Sequence, residues 1–213
     1  AGAMNIRNGQ WDAELCEVAE IDMTILPHLH NPQDNIGTVT ESAAQRTGFS
    51  AGTAVYAGIG DAGATTLASG VSHPGQYNIN IGTSGWIATV SPEPFTDKPG
   101  AANLAFGVEE GFVNAVPFLN AGDVHKWVTG VFSDGDYAEA HQLIETSKPG
   151  SNGVLCLPYL VGERFPVMNP NIRGAYVGLD PDTTKADMMR AALEGVAFSI
   201  RQGMESFDAK PTE

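Results

Sequence analysis

Thr53-Ala54-Val55-Tyr56-Ala57-Gly58-Ile59-Gly60-Asp61-Ala62-Gly63 passes from β-branched and aromatic residues into glycines and an aspartate, then into small residues that continue to Ser69. Residues 53–57 read as a buried strand, 58–61 as a tight turn, and 62–69 as a helix stopped at Gly70. A strand that enters a helix through glycines leaves backbone amides exposed at the helix N-terminus, where ligands bind. Two chemistries compete for this turn. Gly58 to Gly63 spells GxGxxG, the dinucleotide fingerprint, but the next strand, 77–81, offers no acidic residue for a ribose, and Asp61 would stand where a pyrophosphate should sit. Alternatively, a carboxylate held ionised at a helix N-terminus suits a general base, although an ordinary N-cap explains the same aspartate.

Outward from this turn the pattern is mixed. Upstream, residues 11–30 hold a short helix-like segment with Trp11, Leu15 and Val18 on one face, followed by a polar loop at 31–35. A second helix spans 40–48, with Thr40 as N-cap and Gly48 as left-handed C-cap. Downstream, strands 77–81 and 86–90 are joined through Gly82-Thr83-Ser84-Gly85, whose small residues would let amides and two hydroxyls approach phosphate oxygens. A hairpin turn uses glycines for its own reasons, so that reading also stands. After a proline-rich loop at 91–100 come a hairpin, 103–108 and 111–116, turning at Glu109-Glu110, and helices at 122–132 and 137–147. A buried strand is expected at 154–160, and an amphipathic helix runs from 185 to about 207, with Met188, Ala192, Val196 and Ile200 on one face. The change from helix-rich to hairpin pattern divides the chain into 1–75 and 76–213.

The 213 residues carry a formal charge of -14 with only 11 Lys and Arg, which argues against a nucleic-acid or anionic-membrane partner. No apolar run is long enough for a membrane span. Cys16 and Cys156 form no CxxC and no secretory leader is visible, so a reduced, cytoplasmic protein is expected. Ala1-Gly2-Ala3 has the look of an expression scar.

Three further stretches point to one family. Gly174-Ala175-Tyr176-Val177-Gly178-Leu179, then seven residues, then Asp187-Met188-Met189-Arg190-Ala191-Ala192-Leu193-Glu194, resembles the C-terminal signature of the FGGY carbohydrate kinases. Leu157-Pro158-Tyr159-Leu160-Val161-Gly162-Glu163-Arg164-Phe165-Pro166 is similar to that family's LPYLxGERxP stretch. Gly60-Asp61 and Gly82-Thr83-Ser84-Gly85 fall where its catalytic and phosphate-binding motifs fall.

The resemblance implies an α/β, actin-like ATPase fold of the ribonuclease H type, present in part: 1–75 would close the first, sugar-binding lobe and 76–213 would form most of the second, nucleotide-binding lobe. It implies transfer of phosphate from ATP to a sugar hydroxyl, with Mg²⁺. Asp61 would be the base and touch the sugar; Gly82, Thr83 and Ser84 would meet the ATP phosphates; Gly122 and Lys126 would lie along the nucleotide. The partner is then a small-molecule sugar, with a homodimer as the assembly considered. The Gly82 and Leu157 stretches look more like the xylulokinase and gluconokinase branch than glycerol kinase.

Family members are considerably longer, and neither a DxGTxS-type turn nor a GGGxxS segment is found here, so the chain by itself is expected to lack kinase activity. A catalytically silent actin-like binding module and an NAD-dependent oxidoreductase are the alternatives. His28 and His30 lack a third ligand nearby and read as loop residues, not a metal site. Glu163 and Arg164 read as an ion pair that fixes loop geometry. The Met188 stripe and Trp127 read as core.

Overall fold

The computed structural model describes residues 2–98, 100–108, 110–165 and 167–207. Glu109 of the expected turn, Pro166 of the Leu157 stretch and Ala1 of the presumed scar lie outside them. In chain order, β1 (Met4–Asn5), β2 (Gln10–Trp11), α1 (Ala13–Val18), β3 (Asn35–Thr38), α2 (Glu41–Thr47), β4 (Ala54–Tyr56) and α3 (Asp61–Ala68) come first. β5 (Tyr77–Ile81), β6 (Gly85–Ser91), β7 (Ala102–Ala105) and β8 (Phe112–Phe118) then form an antiparallel sheet in the order β5-β6-β8-β7. α4 (Gly122–Phe132), α5 (Tyr137–Thr146), β9 (Leu155–Leu157), β10 (Ala175–Val177) and α6 (Lys185–Glu205) follow.

Period-two alternation gives this sheet two apolar faces. Ala88, Val90, Val113 and Ala115 project to one side, where Val71, Phe106, Ile59 and Trp86 complete a core around the ends of α3. Ile87, Val116 and Phe118 project to the other and pack with Phe165, Phe207 and the Ile200–Met204 end of α6. A third core joins α4, α5, α6 and β9 through Val124, Val128, Ala140, Cys156, Met189 and Ala192. Each fully buried side chain of this size contributes about 1.5–3 kcal/mol. α6 approaches its neighbours closely because Gly195 and Gly203 face them: a Cβ at Gly195 would collide with the Cys156 carbonyl oxygen, and one at Gly203 would stand 2.8 Å from Ile87 Cδ1.

Several expectations are corrected. The helix-like segment is limited to α1, N-capped by Asp12; Trp11 is in β2, and Leu15 and Val18 face solvent while Cys16 is buried. β4 is exposed along its length, not buried, and among the described residues it pairs with β3 alone. The 154–160 strand shortens to β9, in which only Cys156 is buried, because the chain turns at Pro158. β4 and β5, the strands flanking α3, lie in different antiparallel sheets, so Gly58 to Gly63 is not part of a parallel βαβ unit. The dinucleotide-binding geometry behind the oxidoreductase alternative is therefore missing. The helices at 41, 122, 137 and 185 stand where expected, with Thr40 and Gly48 (φ 81°) capping α2. No helix among the described residues is long and apolar enough to cross a membrane.

Candidate active site

The turn before α3 is tied to the preceding loop by backbone bonds, Ala57 N–H to Asp34 O at 3.1 Å and Gly58 N–H to Pro32 O at 3.0 Å. Gly58 has φ 75°, a left-handed conformation open to glycine at little steric cost. Gly60 takes the N-cap position and brings no side chain, so Asp61 is the first residue of α3 and not its cap. Asp61 Oδ1 accepts the Ala62 N–H at 2.8 Å, and Oδ2 has no hydrogen-bond partner among the described residues. The aspartate lines a cavity of about 250 Å³ with Met4, Ile6, Asn103 and Ala105. A neighbouring cavity of about 520 Å³ shares Met4, Ile59, Gly60 and Ala105 and carries Asn8, Gln10, His30 and Asp34 on its walls.

The second group of residues forms where β5 turns into β6. Gly82 N–H donates to Ser84 O at 2.8 Å, closing the loop. The first amides of α4 then seize it from outside: Gly122 N–H donates to Gly82 O at 2.8 Å and Asp123 N–H to Thr83 O at 3.1 Å. That approach requires a glycine, because a Cβ at Gly122 would lie 2.5 Å from Gly82 O. Thr83 and Ser84 are exposed, and their hydroxyls have no hydrogen-bond partner among the described residues. Lys126 lies one turn along α4 on the face of Gly122, exposed and without an ion pair among the described residues.

The structure thus brings Gly82, Thr83, Ser84 and Gly122 into one cradle, with Lys126 beside it. Thr83, with Ser84 after it, stands against the N-terminus of α4, whose Gly122 and Asp123 amides donate to the loop carbonyls, and helix N-termini in general favour anions. No hydrogen bond joins Asp61 to this cradle; the two are related through the sheet, since α3 packs on β6 and β8 and the cradle begins at the first residue of β6.

Two other expectations change. Glu163 forms no ion pair with Arg164 among the described residues: its carboxylate is 3% exposed and accepts from Leu119 N–H, Arg164 N–H and the Asn120 amide, while the Arg164 side chain faces solvent. Trp127 is 40% exposed and not core; it borders an apolar cavity of about 240 Å³ with Val124, Cys156 and Tyr176. Sequence reasoning missed Asn120 altogether, because its partners lie more than forty residues downstream.

The chain is similar to known proteins along most of its length. The C-terminal domain of the FGGY family of carbohydrate kinases matches residues 77–213, and its N-terminal domain matches residues 1–68. A xylulose kinase of Bacillus subtilis is 31% identical over 206 residues, which are 96% of this chain and 41% of that protein. A gluconokinase of the same organism is 30% identical, over 93% of this chain and 41% of its own length. The ligand-bound xylulose kinase from Lactobacillus acidophilus superposes with a TM-score of 0.89 at 26% identity, covering 100% of this chain and 44% of that one. The chain therefore spans about two-fifths of the length of the curated relatives it matches. It shares with them, in part, the actin-like ATPase architecture. Matches to both of its domains, together covering most of the 213 residues, make this chain a member of the FGGY family of carbohydrate kinases.

Proposed function

We propose that the whole protein transfers the γ-phosphoryl group of ATP to a hydroxyl of a small sugar or sugar acid, with Asp61 as general base. The observation that carries this reading is the Asp61 carboxylate itself, anchored through one oxygen by its own helix and unpaired at the other beside a cavity. The relatives' names, xylulose kinase and gluconokinase, point to a ketopentose or an aldonate as acceptor.

Phosphoryl transfer asks little covalent chemistry of a protein; it needs an aligned nucleophile and donors facing the developing charge. In this reading Asp61 Oδ2 receives the proton of the attacking sugar hydroxyl. Thr83 and Ser84 donate to the phosphate oxygens, Gly122 lets α4 close on their loop, and Lys126 adds a cation along the nucleotide. A Mg²⁺ ion, of the kind held chiefly by phosphate oxygens and water with one or two carboxylates, belongs to this reading. When bound, such an ion neutralises phosphate charge. The division at residue 75, between an acceptor side with Asp61 and a nucleotide side with the cradle, belongs to the same proposal. So does a cytoplasmic, nucleic-acid-free setting, supported by two buried free cysteines and the charge of -14.

The test is Asp61→Asn in the whole protein. The isostere keeps the shape but cannot take a proton, so kcat is expected to fall by about 10²–10⁴ with little change in KM for ATP. An unchanged kcat would remove Asp61 from the mechanism, and a wild-type protein without turnover would favour the silent actin-like module.

A further inference from the structure

Among the described residues, Glu163 is a buried carboxyl group whose hydrogen-bond partners are all neutral donors. Glu163 is 3% exposed and Asn120 1% exposed, and together they bridge two loops far apart in sequence. Glu163 Oε1 accepts Leu119 N–H at 2.8 Å and Arg164 N–H at 2.7 Å, while Oε2 accepts Asn120 Nδ2–H at 3.0 Å. Asn120 is used on both sides: Nδ2 also donates to Gly162 O at 2.7 Å, and Oδ1 accepts Val161 N–H at 3.3 Å. A carboxylate is acceptor-only, so three converging donors match it where an amide side chain would set donor against donor.

The bridge leads directly to the cradle. Asn120 is two residues before Gly122, whose N–H holds Gly82, and Asp123 holds Thr83. At the contact between Gly122 and Gly82 there is no room even for a methyl group. Glu163 itself is braced: its N–H and C=O both bond Asn169, at 3.0 Å each, and Gly162 beside it has φ 85° with a Cβ position only 2.5 Å from Pro170 O. A fixed loop, a buried carboxylate, a short connection and a glycine contact therefore link residue 163 to the free hydroxyls of Thr83 and Ser84.

We propose that Glu163 is a positioning residue for phosphate binding: through Asn120 it fixes the start of α4, and thereby sets where the Gly82–Ser84 loop presents its donors to the nucleotide. This rests on the kinase reading for its activity readout, while its structural readout does not.

The experiment compares Glu163→Gln, Asn120→Asp and the double variant, which exchanges donor and acceptor across the bridge. In the whole protein, Glu163→Gln is expected to lower kcat/KM for ATP by about 10- to 100-fold, as misplacement of distant binding groups does, with KM for the sugar unchanged. The double variant restores a donor–acceptor match between positions 120 and 163 but sets an oxygen of the new side chain at position 120 against Gly162 O, so it is not expected to regain the wild-type value. In the chain itself, exchange of the Gly122 and Asp123 amide hydrogens should speed up about tenfold in Glu163→Gln, the effect of weakening roughly one hydrogen bond, while the Val116 amide in β8 reports global stability unchanged. Equal loss toward ATP and sugar, or exchange at Gly122 and Asp123 that stays unaltered or rises only in step with Val116, would overturn the proposal. Should the wild type show no turnover, the kinase reading fails and the exchange experiment alone decides the positioning role.

Discussion

Gly122 and Gly130 sit on the same helix and make opposite predictions. A methyl group at Gly122 meets the Gly82 carbonyl oxygen at 2.5 Å, whereas one at Gly130 meets nothing within 4 Å. Gly122→Ala must push the loop away or strain α4, so it is expected to lower the unfolding free energy by about 1–3 kcal/mol. Gly130→Ala removes only the backbone freedom of a helix glycine and should raise it by about 0.8–1 kcal/mol. Urea denaturation of the chain measures both; equal effects would mean that the contact at Gly122 is not tight. At this scale, the placing of Asp61 in a glycine turn at the start of a helix and of Gly82–Ser84 in a turn between two strands was legible in the sequence, because each pattern is short and local; the chemistry expected of them was decided only by the family resemblance. Glu163 was misread as the partner of Arg164, since the Leu119 and Asn120 donors that hold it lie forty-four and forty-three residues earlier.

α6 shows what an element owes to its first turn. Thr184 and Asp187 form a reciprocal capping box, and Ser147 at the end of α5 donates to the same carboxylate at 2.6 Å. Thr184→Ala is expected to cost about 1 kcal/mol, read as a fall in denaturation midpoint. The Ser147 hydrogen bond, followed by those from Thr184, holds the Asp187 carboxyl below the usual aspartate range. A lowered folded-state pKa means stability that is fully present above the unfolded value of about 3.9 and is lost as pH falls through the folded value. Asp187→Asn should therefore be less stable than wild type at pH 7, with the gap shrinking below about pH 4; a gap constant down to acid pH would contradict this linkage. Caps and helical periodicity are local, which is why α2 could be placed from Thr40 and Gly48 and α6 from its apolar spacing. Burial of a strand is not local: β4 has the composition of a core strand, yet Val55 and Tyr56 are exposed, because burial depends on which elements pack over its faces and not on its own residues.

Across the whole molecule, one four-stranded sheet relates the two chemical ends. α3, with Asp61 at its start, leans on β6 and β8 from one side, and α6 packs on the other, while the cradle hangs from the β5–β6 turn. The sequence pattern anticipated these strands, and the family resemblance the partial actin-like architecture, but neither showed that Ile59 and Val71, on either side of α3, would share a core with Trp86, Ala88 and Val113, because that contact depends on tertiary packing. In the proposed reading, nucleotide binding beside a chain of charge -14 depends on local fields, the α4 N-terminus and Lys126, rather than on overall charge. The most direct measurement is product analysis with the whole protein, ATP, and either D-xylulose or gluconate as acceptor. The account predicts one ADP formed for each sugar phosphate, with no ADP release above background when sugar is omitted. ATP hydrolysed at the same rate with and without sugar, or no phosphorylated product from any ketopentose or aldonate, would contradict it.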